Sequence, residues 1–353
     1  MSRHVIVDGG FLPHFLSPRR VVLRVLPPAQ ILQPQHLIWP VFVQEGEDRV
    51  TPIVSMPGCA RLTIDHLTVR VQKAAQAGLA GIALFPVVSE SRKDSRGRES
   101  LNPDGIMLRA IRAVKAAAPA LLVIGDVALD PYSSDGHDGV VIDGRIDNDE
   151  TLPLLAQMAV AQAQAGVDLV APSDMMDGRV GVIRHALDAA RYEHVGICSY
   201  AVKYASAFYG PFRDALASAP RFGDKRTYQM DPSNAREAMH EMYLDEQEGA
   251  DWLMVKPGLP YLDIVRLVRQ RTALPVAVYQ VSGEYAMLKA ASAEGIFRYE
   301  EALIETLEAM RRAGADFIVT YGALDAARIL RRHSTQGVVR IESGASAQPK
   351  STS

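Results

Sequence analysis

Two lysines that follow separate apolar runs are the residues of this chain best suited to covalent chemistry. Lys203 follows HVGICSYAV (194–202), and Lys256 lies within WLMVKPG (252–258). An amine among apolar side chains and beside a second amine has a lowered pKa, because both surroundings disfavour the ammonium form. A neutral amine attacks a ketone and forms a carbinolamine and then an imine. Either lysine alone would be interpreted as a solvated loop residue, but the pair at matching positions predicts that two keto substrates are held as Schiff bases and condensed.

An acidic segment is predicted beside the lysines. The run DVALDPYSSDGHDG (126–139) contains four carboxylates and a histidine: Asp126, Asp130, Asp135, His137 and Asp138. Carboxylates there can transfer protons, balance the charge of an iminium ion, or bind a hard cation such as Mg2+. Asp, Gly and Ser also shape turns, and this is our interpretation of Asp135. Asp126, Asp130 and Asp138 are therefore the catalytic candidates.

A long segment follows Lys203 and reaches the helix predicted near Pro232. Connections of the length of 204–231 inside a compact domain are usually lids or binding loops. This segment combines aromatic and cationic side chains: Phe208, Tyr209, Phe212, Arg213, Lys225 and Arg226. The combination predicts a lid that excludes water and binds a carboxylate, which Arg can do bidentately. The alternative is that part of the segment forms a short helix at a subunit contact.

The SDMMDGR segment (173–179) ends another predicted strand. Ser173 is included among the candidate substrate-binding residues. Asp174, Asp177 and Arg179 are suited either to substrate binding or to buried ion pairs that anchor the loop, and the sequence favours neither.

Short β-rich apolar runs alternate with longer Ala-rich amphipathic stretches, a pattern typical of alternating strands and helices. The predicted strands are 37–43, 81–87, 121–129, 168–174, 194–202, 252–258, 275–282 and 317–323. The predicted helices are 64–78, 105–118, 150–165, 179–190, 232–249, 260–271, 299–314 and 323–332. Thr63, Asp149 and Ser233 are the predicted capping residues of three of them. This order predicts an α/β fold, the (β/α)8 TIM barrel, whose active site lies at the carboxyl ends of the strands. An open doubly wound sheet is the alternative, but no GxGxxG follows the first strand.

Three regions are assigned along the chain. Residues 37–335 form the barrel. Residues 1–36, in which Pro27 and Pro28 interrupt any long helix, are expected to form an arm that contacts the barrel or a neighbouring subunit. Residues 336–353 are small and polar, and are expected to be a partly disordered tail.

Composition narrows the class of function. The formal charge of −3 predicts no general attraction to nucleic acid or membrane, and no apolar run has the length of a bilayer-spanning helix. The opening residues carry Asp8 and lack a secretory or transit-peptide pattern, so a cytoplasmic location is expected. Cys59 and Cys198 lie on separate predicted elements, which excludes a disulfide scaffold and a metal site of three or four thiolates.

The chain contains several long motifs, namely SMPG (55–58), APSDMMDGRVG (171–181), SYAVKYASAFYGPFRDA (199–215), TYQMDPSNA (227–235), EGADWLMVKPGLPYLDIV (248–265) and YQVSGEYAM (279–287). From about Leu37 to Tyr321 the chain thereby resembles the δ-aminolaevulinic acid dehydratase (porphobilinogen synthase) family. The resemblance implies a lyase (hydro-lyase) of tetrapyrrole and haem biosynthesis. In that reaction two molecules of the small-molecule substrate 5-aminolaevulinate condense to porphobilinogen with loss of two waters.

The resemblance also implies roles for individual residues. Lys256 would hold the substrate that supplies the propionate side, and Lys203 the substrate that supplies the acetate side. Ser282 and Tyr321 would bind the first carboxylate, and Tyr279 would pack against the imine. The remaining substrate-binding residues, chiefly for the second carboxylate, would be Arg213, Lys225, Gln229, Phe212 and Ser173.

Metal use and assembly are likewise implied by the resemblance. Zinc-using members place three cysteines where this chain has Ala128, Asp130 and Asp138, so the chain resembles the aspartate-rich branch without catalytic zinc. In that branch Mg2+ acts at a distant allosteric site, whose glutamate corresponds to Glu241; an ordinary exposed helix glutamate is the alternative. A monovalent cation is a further expected ligand. The family forms homo-oligomers built from dimers through its N-terminal arm, but residues 1–36 match it weakly.

Two other functions remain open on the sequence. A class I aldolase acting on a phosphorylated sugar would need a phosphate-binding loop after the seventh or eighth strand, where SGEYAM and YGALDAA each contain one glycine. A non-catalytic barrel subunit would not need the lysine pair, the lid cations or Ser282. A direct assay for porphobilinogen separates these possibilities.

Overall fold

The structure is a computed structural model that describes residues 4–7, 10–13, 31–216, 221 and 223–336. Its strands are β1 (His4–Val7), β2 (Gly10–Pro13), β3 (Leu37–Gln44), β4 (Val50–Pro52), β5 (Ala60–Leu62), β6 (Gly81–Val87), β7 (Leu122–Val127), β8 (Val140–Ile142), β9 (Arg145–Asp147), β10 (Leu169–Pro172), β11 (Gly196–Lys203), β12 (Trp252–Lys256), β13 (Val276–Gln280) and β14 (Phe317–Thr320). Its helices are α1 (Ile64–Gln76), α2 (Ile106–Ala117), α3 (Asn148–Ala165), α4 (Arg179–Ala189), α5 (Gly210–Leu216), α6 (Ala235–Gln247), α7 (Leu262–Arg271), α8 (Ser282–Ala293), α9 (Tyr299–Ala313) and α10 (Ala323–Gln336).

Eight parallel strands form a closed barrel. They pair in the order β3–β6–β7–β10–β11–β12–β13–β14, and β14 also pairs with β3 through Ile318↔Leu37 and Val319↔Ile38. Closure confirms the predicted (β/α)8 barrel and excludes the open doubly wound sheet. The antiparallel pair β4–β5 extends the end of β3, and β8–β9 forms a separate hairpin. Neither hairpin was predicted.

The helix α8 is the main element that sequence reasoning missed. The seventh strand was predicted to run to 282, but β13 ends at Gln280 and α8 begins at Ser282. Gly283 suggested a loop, whereas a Cβ atom there would lie 2.5 Å from the carbonyl oxygen of Phe208. Position 283 therefore requires glycine because the lid backbone packs directly on the first turn of α8. The glycine does not mark a loop.

Two helices begin at residues other than the predicted caps. Asp147, not Asp149, accepts a hydrogen bond at the start of α3, from the backbone N–H of Glu150. Asn234, not Ser233, caps α6. Both differences are one or two residues and reflect competition between neighbouring polar residues for the same exposed N–H groups.

The core has two layers, one inside the barrel and one between the strands and the helices. Alternate residues of each strand enter the barrel interior, as Ile124 on β7 and Met254 on β12 do. The outer layer is formed by the intervening residues, such as Val123 and Val255, packed against the helices. At the carboxyl ends of the strands the inward side chains change from aliphatic to polar and aromatic. The barrel interior is therefore filled, and its reactive side chains lie at the carboxyl end.

Some predictions fall on residues that the structure does not describe. Pro27 and Pro28 of the arm, and the tail beyond 336, lie outside the described residues. Within the arm, β1 and β2 pair antiparallel. None of the described helices combines the length and apolar character that crossing a bilayer requires.

Candidate active site

A β-bulge in β11 brings the two lysines opposite each other. The register with β12 shifts after Ser199 and resumes so that Lys203 is the Cα partner of Lys256. Tyr200 faces the barrel interior, and simple alternation would turn Val202 inward as well. Val202 instead packs in the outer layer, and the extra residue turns Lys203 inward. The lysine pair therefore depends on this bulge.

Aromatic rings surround the amine of Lys256. Its Nζ lies 4.7–5.2 Å from four ring centroids, those of Tyr279, Tyr200, Phe212 and Tyr209. The side chains exclude water, since Lys256 is only 6% exposed. These four rings, here called the aromatic box, shield the amine from water and so disfavour its protonation. Ring faces also attract cations, so the aromatic box can stabilise the positive charge of an iminium ion.

Lys256 and Asp126 both titrate near neutrality. Burial, followed by the ammonium of Lys203, lowers the pKa of Lys256 to about 7. Burial, followed by the charge of Asp130, raises the pKa of Asp126 to about 7. Asp126 Oδ1 is buried and has no hydrogen-bond partner among the described residues, which leaves it able to exchange a proton with the site.

Lys203 has different surroundings. Its Nζ donates to the carbonyl oxygen of Ser173 and lies 3.4 Å from Asp138 Oδ2. Burial alone would raise the pKa of Asp138, but the ammonium groups of Lys203 and Lys225 outweigh burial and the pKa is lowered. The two amines therefore have unlike surroundings, since Lys203 lies against a carboxylate and Lys256 lies among aromatic rings.

The lid carries a third lysine into the same cluster. Lys225 Nζ lies 2.6 Å from Asp138 Oδ1 and 3.2 Å from Asp130 Oδ2. Burial would lower the pKa of Lys225, but these two carboxylates outweigh it and raise the pKa. Arg213 and Gln229 line the same cavity from the lid. The cavity measures only about 30 Å³, room for about one water, so the lid must open for a substrate to enter.

Hydrogen bonds hold both ends of the short lid helix α5 against the barrel. The backbone N–H of Phe212 donates to Ser282 Oγ at 3.0 Å. At the other end, Arg61 on β5 donates to the carbonyl oxygens of Asp214 and Ala215, each at 2.7 Å. The alternative interpretation of this segment as partly helical is therefore right for α5, although α5 packs on the barrel mouth of its own chain.

Tyr279, Tyr321 and Ser282 form the remaining wall of the site. The hydroxyl groups of Tyr279 and Tyr321 are hydrogen-bonded at 3.0 Å. Ser282 begins α8, where it meets Phe212 of the lid. Tyr321 and Ser282 thus lie beside the rings around Lys256, in contact with Tyr279 and Phe212 respectively, on the side of the barrel formed by β13 and β14.

Comparison with known proteins gives a consistent result. The family model described as delta-aminolevulinic acid dehydratase matches residues 17–329. The chain belongs to this family. It is 57% identical to the chloroplastic delta-aminolevulinic acid dehydratase of Glycine max over 301 residues, which cover 85% of this chain and 73% of that protein. The corresponding Arabidopsis thaliana enzyme is 56% identical over 85% of this chain and 70% of its own length.

A solved structure of the family superimposes closely. The delta-aminolevulinic acid dehydratase of Toxoplasma gondii ME49, in complex with the reaction product porphobilinogen, has a TM-score of 0.87 and 45% identity. The match covers 99% of each chain. The family resemblance drawn from the motifs is confirmed. The expected cytoplasmic location is contradicted, because the similar plant members of the family are named chloroplastic; the missing transit-peptide pattern was not a sufficient basis for it.

Glu241 lies away from the lysines of this dehydratase-family chain. It is half-buried on α6 and lines a separate groove of about 920 Å³, which also contains Asp177 and Glu237. Burial raises the pKa of Glu241. Within the described ranges, ligand atoms close enough to share one metal ion are found at Asp48, Asp65 and His66 on the surface, and the carboxylates of the groove are farther apart.

The buried charged residues of the SDMMDGR segment form ion pairs that hold the segment in place. Arg179 is buried and contacts Asp245 at 3.0 Å and Ser199 Oγ at 3.2 Å. Asp174 is buried 3.9 Å from Arg179 Nε, and burial raises its pKa to about 6. Ser173 is the member of the segment that lines the lysine cavity.

Sequence reasoning missed three residues of the site. Phe85 and Tyr209 line the cavity, and Tyr200 faces Lys256. Phe85 and Tyr200 sit at inward positions of their strands, so the alternation of β6 and β11 could have identified them. Tyr209 was noted only as a lid aromatic, and its contact with Lys256 depends on how the lid folds back.

Proposed function

We propose that this chain condenses two molecules of 5-aminolaevulinate to porphobilinogen, the reaction of its family, through Schiff bases on Lys256 and Lys203. The supporting observation is that these lysines are Cα partners on adjacent strands and line one cavity with three carboxylates. A single reactive lysine would suffice for an aldolase. Two in one cavity suit a reaction that joins two ketones.

Lys256 forms the first Schiff base in this proposal. Its neutral amine, available because the pKa is about 7, bonds to the ketone carbon of one substrate. The ketone oxygen leaves as water after proton transfer, for which Asp126 is suited by its own pKa of about 7. The aromatic box stabilises the iminium charge, and Ser282 and Tyr321 bind the carboxylate of the same molecule.

Lys203 holds the second substrate. Asp138 is in contact with Lys203 and accepts a proton from its ammonium group, and the neutral amine then attacks the ketone. Lys225 then exchanges one of its aspartate partners for the carboxylate of the second substrate, with Arg213 and Gln229 beside it. The enamine carbon of one bound substrate attacks the imine carbon of the other, and elimination of that lysine leaves a C–C bond between the two substrates. Attack of a substrate amino group on the remaining imine carbon closes the ring and releases the second lysine, so the two waters lost are those of Schiff-base formation.

Borohydride reduction tests this assignment. With 5-aminolaevulinate present, reduction should leave adducts on Lys256 and Lys203, and a porphobilinogen colour assay should detect product. Lys256→Ala should abolish turnover, whereas Lys289→Ala, on α8 outside the cavity, should not. Turnover by the Lys256 variant would eliminate the mechanism, and product formation without adducts would eliminate the covalent step.

We propose that zinc is not required and that Mg2+ stimulates from a distance. Ala128 offers no metal ligand, while Asp130 and Asp138 bind the ammonium of Lys225. The oxygen donors Asp177, Glu237 and Glu241 suit Mg2+, which binds through few carboxylates and several waters. Strong zinc chelators should leave activity intact. Metal depletion and add-back should restore a stimulation that Glu241→Ala lacks. Add-back with K+ alone tests the expected monovalent cation.

We also propose a homo-oligomer built from dimers, with residues 1–36 as the contacting arm. Exposed apolar side chains on the barrel support it, since Val54 is 96% and Ile296 72% exposed. Sedimentation of the whole chain and of a chain lacking residues 1–30 would reveal a difference in mass if the arm mediates assembly.

A further inference from the structure

A buried glutamate that does not line the cavity joins the two halves of the first-substrate site. Glu284 is 0% exposed, and its carboxylate accepts three backbone hydrogen bonds. Oε1 accepts from Leu259 N–H at 2.6 Å. Oε2 accepts from Val281 N–H at 2.7 Å and from Gly258 N–H at 3.3 Å.

The three amides belong to two separate segments of chain. Gly258 and Leu259 follow Lys256 by two and three residues. Val281 directly precedes Ser282, the first residue of α8. One carboxylate therefore connects the strand end that carries the amine to the helix start that carries the carboxylate-binding hydroxyl.

The contacts of Glu284 favour the ionised form of its carboxyl group. Every hydrogen-bond partner given above is an N–H donor, and a protonated carboxyl would place its own hydrogen against one of them. Burial raises the pKa of Glu284 to about 7, and the three donors oppose that rise by stabilising the carboxylate. The glutamate also caps α8, whose N-terminal N–H groups lack partners within the helix.

We propose that Glu284 is a positioning residue that fixes the distance between the Lys256 imine and the Ser282 hydroxyl. The inference rests on the proposed function, because it assumes that one substrate molecule uses both groups. A ketone held at both ends reacts only if the two anchors keep their separation, and a misplacement of about 1 Å can cost about a hundredfold in rate. Glu284 acts through the backbone, since it does not line the lysine cavity.

The test compares two ketones that differ in the second anchor. 5-Aminolaevulinate carries the carboxylate that Ser282 would bind, and aminoacetone has the same aminoketone without it. The rate of borohydride-trapped adduct formation at Lys256 is measured by peptide mass spectrometry for both compounds. In Glu284→Gln, which keeps one acceptor and loses the charge, the ratio of the 5-aminolaevulinate rate to the aminoacetone rate should fall at least about tenfold.

The control makes the same carboxylate-to-amide change at the opposite end of the barrel. Asp251 Oδ2 accepts from Ile197 N–H at 2.8 Å and so ties the start of β12 to β11. Asp251→Asn should leave the ratio unchanged. An unchanged ratio in Glu284→Gln, or an equal fall for both ketones, would overturn the positioning role. Absence of any Lys256 adduct in the unaltered protein would instead overturn the proposed function.

A measurement on the unaltered protein covers the case in which Glu284→Gln does not fold. Hydrogen exchange of the amides of Gly258, Leu259 and Val281 should be as slow as that of the barrel strands, because each is bonded to a fully buried carboxylate. Fast exchange at these three amides would overturn the proposal without any substitution.

Discussion

Replacing Lys203 with methionine is expected to raise the pH at which Lys256 becomes reactive. The Lys203 ammonium is the second largest cause, after burial, of the lowered pKa of Lys256. Methionine has a similar length and no charge. The substitution therefore removes the like-charge repulsion and leaves the aromatic box around Lys256 in place.

The size of the effect follows from the geometry of adjacent strands. Partners on neighbouring strands lie about 4.8 Å apart. Two unit charges about 5 Å apart, at an effective dielectric constant of about 20, repel by about 3 kcal/mol, which corresponds to about two pH units in pKa. Asp138, 3.4 Å from Lys203 Nζ, cancels part of that repulsion. We therefore expect the pKa of Lys256 to rise by about one pH unit, which at pH 7 lowers the neutral fraction from about half to about a tenth.

The assay is the pH dependence of borohydride-trapped 5-aminolaevulinate at Lys256, between about pH 5 and pH 10, read by peptide mass spectrometry. The unaltered protein should show a midpoint near 7 and Lys203→Met a midpoint near 8. Lys289→Met is the control, because Lys289 lies 3.4 Å from the ring centroid of Tyr299 outside the cavity. A midpoint that stays constant or moves down in Lys203→Met would refute the electrostatic argument.

Three further predictions concern stability and the lid. Because the folded-state pKa of Lys256 is lowered from 10.5 to about 7, the unfolded chain binds more protons between these values and stability rises with pH across that window. Lys256→Met should therefore raise the free energy of unfolding by about 2–4 kcal/mol below pH 7 and change it little above pH 10.5, as measured by thermal denaturation. An equal gain at both pH values would contradict this prediction. Arg179→Met should destabilise by about 3–5 kcal/mol in urea, because Asp245 loses its buried partner, and a neutral result would refute the pairing. Arg61→Ala should weaken lid closure and raise KM severalfold in the porphobilinogen assay, with an unchanged melting temperature; an unchanged KM would exclude a latch.

The sequence was sufficient for the barrel because burial on both faces of parallel strands leaves continuous apolar runs, and the runs alternate with helical periods. It also indicated the lysine pair, but for an incomplete reason. Counting by twos from Tyr200 makes Val202 the inward residue. Only the bulge turns Lys203 inward, and bulges leave no reliable mark in a single sequence.

The sequence predicted which residues form the site better than it predicted the ion pairs between them. The lid was expected to bind a carboxylate of the substrate, yet Lys225 also reaches Asp130 and Asp138, which lie far from it in sequence. Such contacts depend on how a long connection folds back. Glu284 gave no signal at all, since a glutamate near the start of a helix is an ordinary capping residue until its other partners are known.

The place of Lys225 between two aspartates gives lid movement a chemical effect. With the lid down, Lys203 and Lys225 face three carboxylates around Lys256, namely Asp126, Asp130 and Asp138. The negative charges of Asp130 and Asp138 raise the pKa of Lys256, and Lys225 is the lid cation paired with both of them. If the lid opened, these two charges would lose that partner and would favour the ammonium form of Lys256. The closed lid therefore supports the neutral amine in two ways, by excluding water and by compensating the nearby carboxylates.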